Sequence, residues 1–281
     1  MQKRRKFLII FGSVCLSIIV LCFIFVLVFR LKTVDIEFRS REENTNLAAE
    51  TPTRVLETGE FDFGKNILFM SFEDNIAKIE KSNPFVKVEQ VIRHFPNTVR
   101  VYISERQPRY RVKDETETNK WYILDNEFKV LDKVNDEELL SKKVSGESNY
   151  FIQTIEITNT TLTFKTAIVG EFVSVDISAY LESIVSGIYG KTKDHTQIRS
   201  IDYSSISGKF TLVMRNTGLE NQEGCKIVLE GTEDLYQKAL AGAVVFVDGQ
   251  VVDNVTKRIE NTPDVVVEIL KNDDGYYGLV S

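Results

Sequence analysis

The chain has 281 residues, three cysteines and a net charge of −6 at neutral pH. Four cations lie among the first six residues, so residues 7–281 carry −10, which argues against binding to nucleic acid or to anionic lipid. Cys15 and Cys22 lie in an apolar run and Cys225 stands alone, which excludes a disulfide framework. Cys225 alternates with Ile227 and Leu229, a pattern that predicts the buried face of a strand.

The first element is an uncharged run from Phe7 to Phe29, bracketed by Lys6 and Arg30. As a helix it is about 35 Å long, at about 1.5 Å per residue, and so spans a bilayer core of about 30 Å. A cleaved signal peptide is the alternative, but its apolar region is shorter and ends in small residues. Because cations precede the run, the positive-inside rule places residues 1–6 in the cytoplasm and the rest of the chain outside.

Three period-two patterns predict strands at Thr33–Arg39, Phe85–Ile92 and Val99–Ser104. The turn between the last two is Phe95-Pro96-Asn97-Thr98, in which proline and asparagine suit the central positions. The side chains predicted to face the core of this sheet are Val34, Ile36, Val99, Val101 and Ile103.

Two helices are predicted between the first and second of these strands. Thr51 is the predicted N-cap of the first helix, with Pro52 at its first helical position and Gly59 as its C-terminal stop. Ser71 begins the second, and Asp74 three residues on predicts a capping box. The predicted order is therefore strand, helix, helix, strand, strand, in which two helices cover one face of a three-stranded sheet.

This segment carries four short motifs in order. They are Gly64-Lys65-Asn66-Ile67-Leu68-Phe69, Asn83-Pro84-Phe85-Val86, Arg93-His94-Phe95-Pro96-Asn97-Thr98 and Glu105-Arg106-Gln107-Pro108. At these spacings, directly after a single N-terminal span, the motifs resemble the POTRA domain of the FtsQ/DivIB cell-division family. The resemblance is strongest over residues 61–131 and extends loosely over nearly the whole chain.

From Arg109 onward the chain is rich in predicted strands. Trp121–Asp125 and Lys129–Val134 flank a short reversal that resembles a hairpin of the family, without its usual glycine. Apolar residues at helical spacing predict one helix around residues 177–188, and Thr232 is the predicted N-cap of another. The buried stripe of the second helix is predicted to be Leu235, Ala239, Ala243 and Phe246.

The predicted fold class is α+β. A single N-terminal transmembrane helix is followed by a POTRA domain and by a larger, mostly antiparallel β domain with two or more helices. The predicted segments are a cytoplasmic tail at 1–6, the transmembrane helix at 7–29, the POTRA domain at 30–108 and the β domain at 109–281.

The chain offers few groups for catalysis. His94 and His195 are isolated, and no cysteine or paired-histidine spacing predicts zinc. The serine–lysine pair of penicillin-binding enzymes is absent, as are nucleophile-elbow and glycine-rich nucleotide motifs. A carboxylate pair for glycoside cleavage stays open, because acidic residues are many. The prediction is no catalytic residue, no metal, no cofactor and no small-molecule substrate.

The family resemblance implies a non-enzymatic scaffold at the division septum. Its implied partners are other single-span division proteins, FtsL and FtsB/DivIC, and through them the septal peptidoglycan synthase. In that family the POTRA domain helps to recruit and localise the protein. The alternative is a membrane-anchored, cell-wall-modifying enzyme of the glycosidase type, which would cleave peptidoglycan instead of binding a partner peptide.

The predicted partner site is the last long strand of the chain and the tyrosines after it. Pro263 precedes the strand, and Asn272-Asp273-Asp274-Gly275 forms the turn that follows. A strand at a sheet edge can accept a strand from another chain, and nearby aromatic side chains can anchor it. The family is thought to hold FtsB/DivIC near the end of its β domain, and this stretch resembles the matching one. The alternative is that the valines only fill the core and that the tyrosines are surface residues without a partner role. The predicted residues are Asp264, Val265, Val266, Val267, Glu268, Ile269, Leu270, Tyr276 and Tyr277.

The predicted topology is tested by labelling cysteines in intact cells. We expect Gln2→Cys to resist a membrane-impermeant thiol reagent, because the N-terminus lies in the cytoplasm, and Lys113→Cys to react. Reversed labelling would contradict the topology and the division role together.

Overall fold

The computed structural model describes residues 2–39, 47, 50–114, 116–142, 151–158, 167–173, 177–215, 225–249 and 266–280. The chain divides into two compact units, Met1–Arg106 and Gln107–Ser281. Each unit has its own cluster of buried apolar side chains.

The first unit begins with helix α1, Gln2–Val28. Its segment Phe11–Val28 is long and apolar enough to cross a membrane, and none of that segment is buried inside the structure. In hydrocarbon such a helix satisfies all its backbone groups internally while its side chains contact lipid. The structure therefore supports a single-pass membrane anchor, which ends one residue before the predicted Phe29.

Five elements follow α1 in the first unit. They are β1 (Thr33–Phe38), α2 (Thr51–Thr58), α3 (Glu73–Ser82), β2 (Val86–His94) and β3 (Thr98–Glu105). In the sheet order β1-β3-β2, β3 pairs in parallel with β1 and antiparallel with β2. The element order confirms the predicted strand-helix-helix-strand-strand arrangement.

The core of this sheet is the one that the alternation predicts. Val34 lies opposite Val99, and Ile36 lies opposite Val101, in the pairing of β1 with β3. Val99, Val101 and Ile103 are fully buried, Val34 is buried and Ile36 is half-buried. Because side chains alternate between the two faces of a strand, one buried face fixes the register of all three strands.

The starts of the two helices differ from the prediction. The N-cap of α2 is Glu50, and Thr51 is already helical. The N-cap of α3 is Phe72, without a side-chain capping bond, so the capping box predicted at Ser71 is wrong. The Phe72 side chain is buried in the core, and this burial outweighs a capping hydrogen bond in deciding where the helix begins.

A charge at Val101 tests the sheet register. We expect Val101→Asp to destabilise the protein by several kcal/mol, on the order of the cost of an unpaired buried charge, because the side chain is fully buried. Arg100→Gln is the control, since the Arg100 side chain lies on the other face and is partly exposed. Thermal melts of both variants measure the difference, and the opposite ranking would show that the register is wrong.

The second unit contains nine strands and three helices among the residues that the structure describes. They are β4 (Tyr110–Lys113), β5 (Lys120–Leu124), β6 (Val130–Asn135), α4 (Asp136–Ser141), β7 (Ile155–Thr158), α5 (Ser178–Thr192), β8 (Ile198–Ser204), β9 (Lys209–Met214), β10 (Lys226–Glu230), α6 (Leu235–Gly249), β11 (Val266–Asn272) and β12 (Gly275–Val280).

The strands form one sheet in the order β12-β11-β10-β9-β8-β7-β4-β5-β6. The pairs β4–β7, β7–β8 and β10–β11 are parallel, and the other five pairs are antiparallel. The sheet is thus mostly antiparallel, as predicted. The parallel pair β10–β11 requires a crossover connection, and α6 lies within it.

Helices α5 and α6 pack closely on each other and on the sheet. A Cβ at Gly187 of α5 would lie 2.8 Å from the Cβ of Ala239 of α6, so the contact has no room for a side chain there. The predicted stripe of α6, with Ala239 and Phe246, is buried. The predicted N-cap Thr232 is wrong, because α6 begins at Leu235, after a turn in which Asp234 has φ +54°.

Cys225 lies just before β10 and is buried. Burial raises the pKa of its thiol to about 11, which keeps it protonated at neutral pH. Since the thiolate is the reactive form, Cys225 is poorly suited to a reactive role. The predicted burial is confirmed, although β10 begins one residue later, at Lys226.

The hairpin between β5 and β6 contains a strained residue. Phe128 has φ +63°, in the left-handed region, at the position where the resembling family has glycine. Its ring is buried and stacks on Tyr110 at a centroid distance of 5.1 Å. The stacking and burial of the ring compensate for the backbone strain of a non-glycine residue.

Two substitutions at Phe128 separate the stability gained from the buried ring from the stability lost to backbone strain. Both Phe128→Ala and Phe128→Gly lose the ring, which costs about 3–5 kcal/mol. We expect the glycine variant to be the more stable of the two, the reverse of the usual order, because only glycine adopts this φ without strain. Urea unfolding measures the free energy of unfolding of both variants. An alanine variant at least as stable as the glycine variant would show that the backbone at this position is not strained.

Candidate partner-binding edge

The structure divides the predicted partner site between two strands. Asp264 and Val265 lie outside the described residues. The predicted stretch from Val266 to Leu270 lies in β11, and Tyr276 and Tyr277 lie in β12.

The prediction that the stretch from Val266 to Leu270 lies at a sheet edge is wrong. Strand β11 pairs with β10 on one side and with β12 on the other. The strand order ends at β12, so Gly275–Val280 is the edge among the described strands. Its outer row of backbone groups faces no other described strand.

One face of β12 packs against α6 and the core of the second unit. A Cβ at Gly278 would lie 2.6 Å from a methyl carbon of Val245 in α6. Val280 packs against the core cluster. The Tyr276 hydroxyl donates to a carboxylate oxygen of Asp234 at 2.8 Å, and this hydrogen bond raises the pKa of Tyr276. These contacts fix β12 on α6 and on the turn before it.

The ammonium groups of two lysines lie close to the Tyr276 ring. The Nζ atoms of Lys238 and Lys271 are 5.6 and 5.1 Å from its centroid. Cations at this distance over an aromatic ring are attracted to its face. The Tyr276 side chain thus already has three polar partners within the second unit, namely Asp234, Lys238 and Lys271.

The opposite face of β12 is apolar and open. Tyr277 and Leu279 are 43% and 50% exposed, and Leu270 lies directly opposite Tyr277 and is also exposed. Leu270, Tyr277 and Leu279 form what we call the edge patch. A side chain entering beside β12 would contact Tyr277 or Leu279, and Leu270 of β11 extends the apolar surface behind Tyr277.

Sequence reasoning missed β12 as a strand and Leu279 as a candidate contact. The signal was present, because Tyr276, Tyr277, Leu279 and Val280 are strong strand formers after the Asn272–Gly275 turn. Gly278 interrupts that pattern, and in the structure its missing side chain lets α6 approach.

Two arginines of the second unit hold its strands together. The Arg111 guanidinium donates to the carbonyls of Ile152 and Thr154 and to Glu156 at 2.8 Å. Arg215 donates to the same two carbonyls. This arrangement joins β4 to β7. Among the described residues, no group of three His, Cys, Asp or Glu side chains could hold a metal ion.

Comparison with known families concerns the first unit. Residues 44–106 match the family model of the POTRA domain, FtsQ-type. These residues are a POTRA domain of the FtsQ type. The match supports the resemblance to the FtsQ/DivIB family and points to a cell-division protein. No curated protein matches the chain.

Proposed function

We propose that this chain is a non-enzymatic scaffold of the bacterial division septum. The N-terminus lies in the cytoplasm, α1 anchors the chain, and the POTRA and β domains work outside the membrane. Its partners are FtsL-like and FtsB/DivIC-like single-span proteins, through which it is linked to septal peptidoglycan synthesis.

The observation that supports this function best is the β12 edge with its edge patch. An extended segment of a partner pairs its backbone with Gly275–Val280 and places alternate side chains on Leu270, Tyr277 and Leu279. Backbone pairing supplies affinity, and the apolar patch supplies selectivity for the partner segment.

Shared anchoring in one membrane favours such an edge. Two single-span proteins in the same bilayer meet at a raised effective concentration, so a strand of about six residues suffices for association. The contact needs no large concave pocket, since its specificity comes from an ordered edge.

Proline and alanine at the same positions test the backbone pairing. Successive N–H groups of a strand point to opposite sides, so of Tyr276 and Tyr277 one N–H faces β11 and the other faces outward. Proline removes the N–H, while alanine removes only the side chain. At the position whose N–H faces β11, we expect proline to lower the melting temperature relative to alanine. At the other position, we expect proline to weaken partner binding while the melting temperature stays the same as with alanine.

Binding is measured between the full-length protein in detergent and the FtsB/DivIC-like protein encoded by the same genome. Leu279→Ser should weaken binding without lowering the melting temperature, because the side chain is half exposed. Leu140→Ser is the matched control, since Leu140 is an exposed leucine of α4, outside β12 and the edge patch. If both proline variants bind as their alanine controls do, the edge is not the site.

A further inference from the structure

The chain leaves α1 directly into the hydrogen-bonded structure of the first unit. The Leu31 N–H donates to the Lys65 carbonyl and the Ile67 N–H donates to the Phe29 carbonyl, both at 2.8 Å. The Gly64 N–H also donates to the Leu31 carbonyl at 2.9 Å. The loop 61–70 is thus tied to the residues that follow the membrane helix.

A second loop ties the same residues from the other side. The N–H groups of Lys32 and Thr33 donate to the Asn97 carbonyl at 2.8 and 3.3 Å. The rings of Phe29 and Phe95 meet edge to face at a centroid distance of 5.8 Å. The exit from α1 is therefore held between the loop 61–70 and the turn 95–98.

These two loops carry three exposed phenylalanine rings. Phe63, Phe69 and Phe95 are 55%, 81% and 53% exposed. Both loops are hydrogen-bonded to residues 29–33, so the three rings belong to the end of the first unit at which α1 ends. Exposed apolar surface that is contiguous marks a contact with a partner or a membrane. We call these three residues the exit ring set.

The exit ring set is not unfilled core. Phe61 and Ile67 lie two residues before Phe63 and Phe69, and both are buried in the cluster of the first unit. Met70 after them is also buried. The loop thus divides its apolar residues between the core and the outside.

The charge around the exit is positive, unlike the exterior as a whole. Arg30 and Lys32 are exposed directly after α1. Arg93 is fixed nearby, where its guanidinium donates to the carbonyls of Ile67 and Met70 at 2.8 and 2.6 Å. Basic side chains next to a span attract anionic headgroups, and phenylalanine on the apolar face of an interfacial segment is buried at the boundary between headgroups and acyl chains.

We propose that Phe63, Phe69 and Phe95 insert into the headgroup layer of the membrane that α1 crosses, on the side where α1 ends. The first unit then rests on the bilayer surface, anchored by three rings in addition to its covalent span. The contact uses residues of the first unit, whereas β12 belongs to the second, so it does not rest on the proposed partner site.

A fluorophore that reports its environment tests the insertion. The protein is the full chain with Cys15, Cys22 and Cys225 replaced by alanine, reconstituted in nanodiscs of phosphatidylcholine and phosphatidylglycerol. We expect a nitrobenzoxadiazole label on Phe69→Cys to show blue-shifted emission, and to be quenched by lipids that carry a nitroxide near the headgroup.

The control label is on Ser82→Cys in the same unit. Ser82 ends α3 before β2 begins, and the 9 residues of β2 separate it from the turn 95–98. At about 3.3 Å per residue that strand is about 30 Å long, so the control should be neither shifted nor quenched. Equal signals from the two labels would overturn the proposal.

A second measurement tests whether the three rings keep the first unit in contact with the bilayer surface. With the label on Ser71→Cys, replacing all of Phe63, Phe69 and Phe95 by serine should remove most of the quenching. Phe69→Ser alone should leave the melting temperature unchanged, since that ring is exposed. In the same variant, the quenching of the label on Ser71→Cys should fall. Unchanged quenching in the triple variant would show that the covalent span alone keeps the surface near the membrane, and would refute the proposal. Apart from their scaffold protein, purified nanodiscs contain no other protein, so a surface that serves a division-protein partner gives this same negative result.

Discussion

The parallel pairing of β1 with β3 is the constraint on which the arrangement of the first unit depends. Strand β1 begins at Thr33, a few residues after α1 ends, and Thr33 lies opposite Thr98 at the start of β3. Because β2 is antiparallel to β3, the end of β2 lies there too, with His94 opposite Thr98. Connectivity alone therefore brings the turn 95–98 to the exit from the helix. Helix α1 and the sheet are joined without a long flexible linker.

The motifs of the first unit are explained by hydrogen bonds between its loops. The Arg93 guanidinium binds carbonyls of the loop 61–70, which connects the third motif to the first. Asn83 donates to the Thr58 hydroxyl and to the Ile79 carbonyl, so it joins the ends of α2 and α3. In the fourth motif, Arg106 pairs with Glu80 of α3 at 3.0 Å, and both side chains are largely buried. Removing one partner of such a pair leaves a buried charge, which explains why polar residues occur at these spacings.

The sequence predicts the elements whose pattern is local and misses the features that depend on distant contacts. The alternation of Val99, Val101 and Ile103 was sufficient for β3, because one face is buried along its whole length. The start of α3 was missed, since burial of Phe72 decides it. The edge was assigned to β11 because nothing local shows which strand ends a sheet. That depends on the parallel pairing of β10 with β11, across a crossover from Glu230 to Val266.

The two ends of the large sheet are protected differently. At β6, the Val130 N–H donates to the Glu171 carbonyl, and the Val130 carbonyl accepts from Gly170, so a loop covers the start of that edge. Asp132 of β6 pairs with Lys142 at 2.9 Å, which adds charge to the same edge. In contrast, Gly275–Val280 contains no charged residue and presents its apolar patch without a covering strand among the described residues. An uncharged edge without a covering strand is open to pairing with another chain, so β12 is the end of this sheet that fits the proposed partner contact.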